Sequence, residues 1–237
     1  MKTIFLHGLG QTCSSWEKTT AFLKKGADVL CPNLFDWFEG QTVNYPVLYR
    51  AFSEYCQQFP EPVQLCGLSL GGVLALHYSI EHPQHVHSLA LIATPYTMPK
   101  RILKFQNMIF RFMPEKNFQS MGISKADFLC LTRSMMDLDF EKDLPRLSCP
   151  VLVLCGEKDT VNRSSSLGLQ ARLPKAEFRL LKNSGHEANL DAPEALAQEL
   201  SAFFSYDHFK KSLPAVSAVR LFFLSATICW NKRCSLF

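Results

Sequence analysis

The chain has 237 residues, 47% hydrophobic and 19% charged, with a formal net charge of +4. That length supports one domain with a full core and hardly two, and the composition is globular and not that of a disordered chain. The charge is small and the Lys and Arg residues are scattered, so a nucleic-acid partner is excluded from the reading.

In chain order, Thr3-Ile4-Phe5-Leu6 reads as a first strand, and its position directly after Lys2 leaves no signal peptide. The strand ends in His7-Gly8-Leu9-Gly10. Glycines in such a turn let backbone N–H groups approach a reacting oxygen, so the N–H of Leu9 is a candidate oxyanion donor. His7 is expected to hold the loop by hydrogen bonding and not to catalyse. Ser14 or Ser15 can cap a helix running to residue 24. Trp16 is a candidate wall of a substrate pocket; the plainer alternative is a staple between that helix and the core. Residues 27–32 form the next strand, stopped by Pro32, residues 33–44 a loop, and residues 45–59 an amphipathic helix ended by Pro60 and Pro62.

Val63-Gln64-Leu65-Cys66 is a buried strand, followed by Gly67-Leu68-Ser69-Leu70-Gly71-Gly72 and a helical run. In this G-x-S-x-G turn the serine hydroxyl must project clear of a strained backbone, and the flanking glycines remove side chains that would collide there. The helix that follows aims its N-terminal N–H groups at the same point, with Leu70 the second candidate oxyanion donor. Residues 86–92 form another strand, closed by Thr94-Pro95. Strands and helices thus alternate up to residue 93, which argues for an α/β fold with a parallel sheet.

Residues 96–148 break that pattern, with helical stretches at 101–113 and 124–137 and no strand. Ile102, Phe105, Met108, Ile109 and Phe112 share one helical face. The segment reads as a lid over the carboxyl ends of the strands, with Phe105, Met108 and Phe112 as candidate substrate-binding residues. Ordinary core packing is the alternative. After Pro150 a strand, Val151-Leu152-Val153-Leu154-Cys155, leads to Gly156-Glu157-Lys158-Asp159, and Asn162 is a candidate cap for the next helix. Residues 177–181 make the last strand, followed by Asn183-Ser184-Gly185-His186 and a helix from about Asp191 to Phe204.

Ser69, Asp159 and His186 each stand just past a strand, in the order Ser, Asp, His, and parallel strands bring such loops to one edge. Ser69 would attack, His186 would take and return its proton, and Asp159 would fix the imidazole. On His7-Gly8-Leu9-Gly10, Gly67 to Gly72, Gly156 to Asp159 and Gly185-His186, the chain resembles the α/β-hydrolase superfamily over residues 2–206. It is most similar to a compact branch of small carboxylesterases, pimeloyl-ester esterases and menaquinone-pathway lyases. The resemblance implies a mostly parallel six-stranded sheet lacking the two N-terminal edge strands, with helices on both faces and a helical lid insertion. Two departures stand out: the chain starts at the family's third strand, and Asn33-Leu34-Phe35-Asp36-Trp37 replaces the usual Asp-x-Pro-Gly-x-Gly-x-Ser loop. A serine at position 69 argues against haloalkane dehalogenases, which use aspartate there.

Nine cysteines without a C-x-x-C pair argue against a zinc site and fit reduced thiols in the cytoplasm; no metal or cofactor is expected. The hydrolase domain is placed at residues 1–207, with the lid at about 96–148, and residues 208–237 form a tail of unassigned role. The tail's apolar run, 221–230, is about half the roughly 20 residues needed to span a bilayer, so packing on the domain is preferred over membrane contact. The expected function is hydrolysis of an ester or thioester of a small apolar acyl group. The alternatives are a ligand-binding protein on a hydrolase scaffold and a lyase of the menaquinone-pathway type. Oligomeric state is open.

Overall fold

The structure is a computed structural model that describes residues 1–23, 28–38, 40–98, 100–119, 122–173 and 175–212, the side chains of 101–102, 105–106 and 206–212 excepted. Its strands are β1 (Lys2–Leu6), β2 (Asp28–Leu30), β3 (Val63–Leu68), β4 (Val86–Ile92), β5 (Val151–Gly156) and β6 (Glu177–Leu181). They form a six-stranded parallel sheet in the order β2-β1-β3-β4-β5-β6. The register runs Ile4↔Leu65↔Leu89↔Val151 across its centre. Every residue of β3 and β5 is buried, which is why these strands read as unbroken apolar runs and not as alternating ones.

The helices are α1 (Glu17–Ala21), α2 (Tyr45–Gln57), α3 (Leu70–Glu81), α4 (Lys100–Phe110), α5 (Lys116–Gln119), α6 (Lys125–Ser134), α7 (Thr160–Arg172), α8 (Ala188–Asp191) and α9 (Pro193–Ser212). Helix α2 starts where Asn44 accepts from the N–H of Val47, and α6 where Ser124 accepts from that of Asp127. The helix expected from Ser14 to residue 24 is shorter: a 3₁₀ turn over Cys13–Trp16, then α1. Thr20 bonds back to the carbonyl of Trp16 at 3.0 Å, a competitor to regular helix. The stretch read as loop after Pro32 holds a second 3₁₀ turn, Leu34–Phe38, which buries Leu34, Phe35 and Phe38. Asp159, and not Asn162, is the cap of α7.

Between β4 and β5 the chain leaves the sheet as α4, α5 and α6, with an isolated antiparallel bridge, Thr97↔Asp139, at its base. Phe128 of α6 packs edge-on against Phe110 and Phe118, centroids 4.9 and 5.1 Å away. That cluster sets the rotation of α4 differently from the expected stripe. Leu103, Asn107 and Phe110 face inward, whereas Met108, Ile109 and Phe112 are 52%, 46% and 85% exposed. The side chains of Ile102 and Phe105 lie outside the described residues.

The chain divides into two units, Met1–Ser201, which holds the sheet and every candidate site residue, and Ala202–Phe237. The tail beyond Ser212, with its apolar run, lies outside the described residues. No helix among the described residues is long and apolar enough to cross a membrane.

Candidate active site

The turn from β3 into α3 holds Ser69 at φ 52° and ψ −111°. A non-glycine residue there stores about 1–3 kcal/mol of strain, which surrounding structure must over-determine. It does so by close packing. A Cβ on Gly71 would overlap the carbonyl of Leu6, and one on Gly67 would overlap the backbone of Gly71. The N–H of Ser69 donates to the carbonyl of Ile92 at 2.9 Å, fastening the turn to the end of β4. Leu70, the first residue of α3, is buried, and its N–H has no intrahelical acceptor.

The loop after β1 lies against this turn. A Cβ on Gly8 would press on the Leu68 side chain, and Leu9 is partly buried. His7 is fully buried, its Nδ1 2.9 Å from the carbonyl of Gly8, while Nε2 accepts the N–H of Leu34 at 3.0 Å. Burial pushes its imidazole below the usual histidine range, so the neutral ring with its proton on Nδ1 satisfies both bonds. The ring thereby ties the loop after β1 to the loop after β2.

On the other side, Asp159 Oδ2 stands 2.9 Å from His186 Nδ1. The Asp159 side chain is 3% exposed and that of His186 43%. The two loops are brought together because Gly156 ends β5 against the carbonyls of Ser184 and Gly185, and the N–H of Lys158 donates to Ser184 at 2.8 Å. Asn162 adds a contact that sequence reading missed. Its backbone N–H donates to Asp159 Oδ1 at 3.1 Å and its Nδ2 to Oδ1 and Oδ2 at 3.0 and 2.9 Å. Burial pushes the Asp159 carboxyl up, but hydrogen bonds from His186 and Asn162 outweigh it and hold the group below the usual carboxylate range. A histidine oriented by such a carboxylate leaves Nε2 as the nitrogen that can take a proton.

A buried amide pair bridges the loops on the two sides. Gln11 Nε2 donates to Glu187 Oε1 at 2.9 Å and Asn189 Oδ1 at 3.2 Å. Asn189 Nδ2 returns a bond to Gln11 Oε1 at 3.1 Å, and Gln11 Oε1 also accepts the N–H of Gly8. No local signal in the sequence marks this pair; it joins residues that are far apart in the chain.

The remaining candidates are placed less tightly. Trp16 has no exposed surface and packs edge-on to Phe5 with centroids 5.1 Å apart, so the structure corrects the pocket-wall reading to that of a core staple. Met108 borders a cleft with Lys104 and Arg111, and Phe112 is almost fully exposed, so neither walls an enclosed acyl pocket in this structure. Phe105's side chain is not among those described. Among the described residues no group of three or more His, Cys, Asp or Glu could hold a metal ion.

Comparison with known proteins adds the lineage. The sequence model of the alpha/beta hydrolase family matches residues 3–199. A pimeloyl-[acyl-carrier protein] methyl ester esterase of Vibrio atlanticus is 22% identical, over 84% of this chain and 93% of that protein. Among solved structures, a thermophilic esterase from Thermogutta terrifontis superposes with a TM-score of 0.73 at 19% identity, covering 88% of this chain and 90% of its own. MenH from S. aureus gives 0.74 at 16%, covering 88% and 94%. The structural likenesses agree with the fold described above, and the family model spans most of the sequence: the chain belongs to the alpha/beta hydrolase family.

Proposed function

We propose that the protein is a serine hydrolase that cleaves an ester, or a thioester, through an acyl-enzyme. Ser69 Oγ attacks the carbonyl carbon while His186 Nε2 takes its proton and then passes it to the leaving oxygen or sulfur. Asp159 holds the imidazole with Nδ1 protonated and stabilises its charged form. The N–H groups of Leu9 and Leu70 receive the oxyanion. Water, deprotonated by His186, then releases the acid and restores Ser69. The observation that carries this reading is the 2.9 Å bond from His186 Nδ1 to the buried Asp159 carboxylate, alongside a serine in a strained strand–helix turn.

The acyl group is read as small and apolar, on the apolar residues that the sequence of α4 carries; the described side chains of that helix do not themselves enclose a pocket. A second reading, hydrolysis of a methyl ester on a carrier-borne acyl chain, is favoured by the Vibrio atlanticus relative. A fluorophosphonate probe tests the core of the proposal: it labels the wild-type chain at Ser69 and fails to label Ser69→Ala. Ser69 is a turn residue with little packing, so that variant keeps its stability to within about 1 kcal/mol. Labelling elsewhere, or turnover near the wild-type rate in Ser69→Ala, would overturn it. For p-nitrophenyl esters, kcat/KM rises from acetate to butyrate or hexanoate, as each buried methylene adds about 0.8 kcal/mol, and then falls. A flat profile refutes the apolar acyl pocket.

A further inference from the structure

Between α4 and α6 lies a cleft of about 220 Å³ lined by Lys104, Asn107, Met108, Arg111, Arg133 and Met136. Three of these residues are cations and none is a carboxylate. Among the described residues, none of the three cations forms an ion pair. Asp137, whose carboxylate also feels Lys104, is already held by Lys100 at 2.6 Å. Like charges gathered round one cleft repel each other until an anion enters. The lining also carries a neutral polar residue. Asn107 is buried, its Oδ1 accepts from Thr132 Oγ1 at 2.7 Å, and its Nδ2 meets no acceptor among the described residues. A buried amide donor without a partner is costly, and it makes the lining between α4 and α6 polar as well as cationic.

We propose that this cleft is a binding site for a small oxyanion with the charge and shape of phosphate or a phosphate monoester. Arg111 and Arg133 offer planar forks suited to a tetrahedral oxyanion, and Lys104 adds a mobile point charge. Asn107 adds a neutral polar residue to the lining, and Met108 and Met136 pack against any organic part. The volume is below the 300–1,000 Å³ typical of small-molecule pockets, so the site takes an anionic group and not a whole large ligand. Lys104 and Arg111 come from α4 and Arg133 from α6, so a bound anion pins the two helices together. The site shares no residue with the loops of Ser69, Asp159 and His186.

Isothermal titration calorimetry of the full chain with inorganic phosphate and with phenyl phosphate, at about 0.1 M salt to screen diffuse attraction, tests the assignment. Saturable binding at one site is expected. It weakens about tenfold or more in Arg111→Gln/Arg133→Gln and stays unchanged in Lys18→Gln, a surface charge on α1. Absence of saturable binding to the wild type, or equal weakening in Lys18→Gln, overturns it. Circular dichroism of the double variant in phosphate-free buffer should match the wild type, since both replaced side chains are exposed. The calorimetry needs no turnover, so it stands even if the hydrolase assignment fails. Turnover separates two sources of the anion. A free solute changes hydrolysis of a neutral ester when phosphate is added to the wild type, but not to the double variant. An anion borne by the substrate leaves the neutral ester unaffected, and the variant then loses activity only on an ester that bears a phosphate.

Discussion

Asn162 supplies three of the donors that surround the Asp159 carboxylate, and at the scale of single residues it makes a prediction with a sign. The Asp159 carboxyl is held low in the folded chain. A carboxyl of that kind stabilises the fold above its unfolded pKa of about 3.9, and the stabilisation is lost as pH falls through the folded value. Asn162→Ala removes two of the donors, raises the Asp159 pKa and costs about 1.5 kcal/mol at neutral pH. The difference from wild type should shrink as pH falls below the unfolded value of about 3.9 and on through the lower folded value, where the carboxyl becomes protonated in both. Urea midpoints across pH 3–7 measure it; a gap of constant size would assign the loss to helix capping alone. Asp159→Asn should lower kcat by about 10³–10⁴-fold by leaving the imidazole in the wrong tautomer, if the proposed chemistry holds. The strained turn at Ser69 and the pairing of Asp159 with His186 have a sequence signal, because each of these residues follows a strand that ends in a glycine-marked turn. For Asn162 the sequence offers only a helix cap, since its contacts depend on which residue begins α7.

Elements meet at this site through backbone contact more than through side chains. Gly71 lets the first turn of α3 lie on the carbonyl of Leu6, and Gly71→Ala should cost about 3 kcal/mol or more. Gly122→Ala is the control: φ there is +72°, but open space surrounds it, so only the left-handed conformation is penalised, by about 1–2 kcal/mol. Equal losses in urea unfolding would mean that the packing of α3 on β1 is softer than drawn. The Gln11–Asn189 amide pair makes a second prediction. Either residue changed to Leu strands buried partners and costs about 2–3 kcal/mol, while the double variant costs less than the sum. Strict additivity in the double-mutant cycle would show that the two amides do not act together. Neither this pair nor the rotation of α4 could be read from periodicity. A helical stripe reports which side chains share a face, but Phe118 and Phe128, from other helices, decide which face turns inward.

For the whole molecule, the parallel sheet was legible because apolar runs such as Val151 to Cys155 are bounded by proline and glycine, and because helices separate them. The short helix α8 was not, since four residues carry no period. The sheet and all candidate site residues lie within Met1–Ser201, so a chain ending at Tyr206 should fold and keep the probe reactivity of Ser69. Insoluble protein on truncation would show that the removed apolar run is needed for folding. The bond between Gln11 and Asn189 spans 178 positions of the chain. During synthesis from the N-terminus, β1 and the Ser69 turn can assemble long before residue 189 leaves the ribosome, yet the loop after β1 then lacks its buried amide partner and Asp159 lacks its histidine. A growing chain therefore cannot close this amide network or the bond between Asp159 and His186 until residues 186–189 have been made, so Ser69 is laid down well before the groups proposed to activate it.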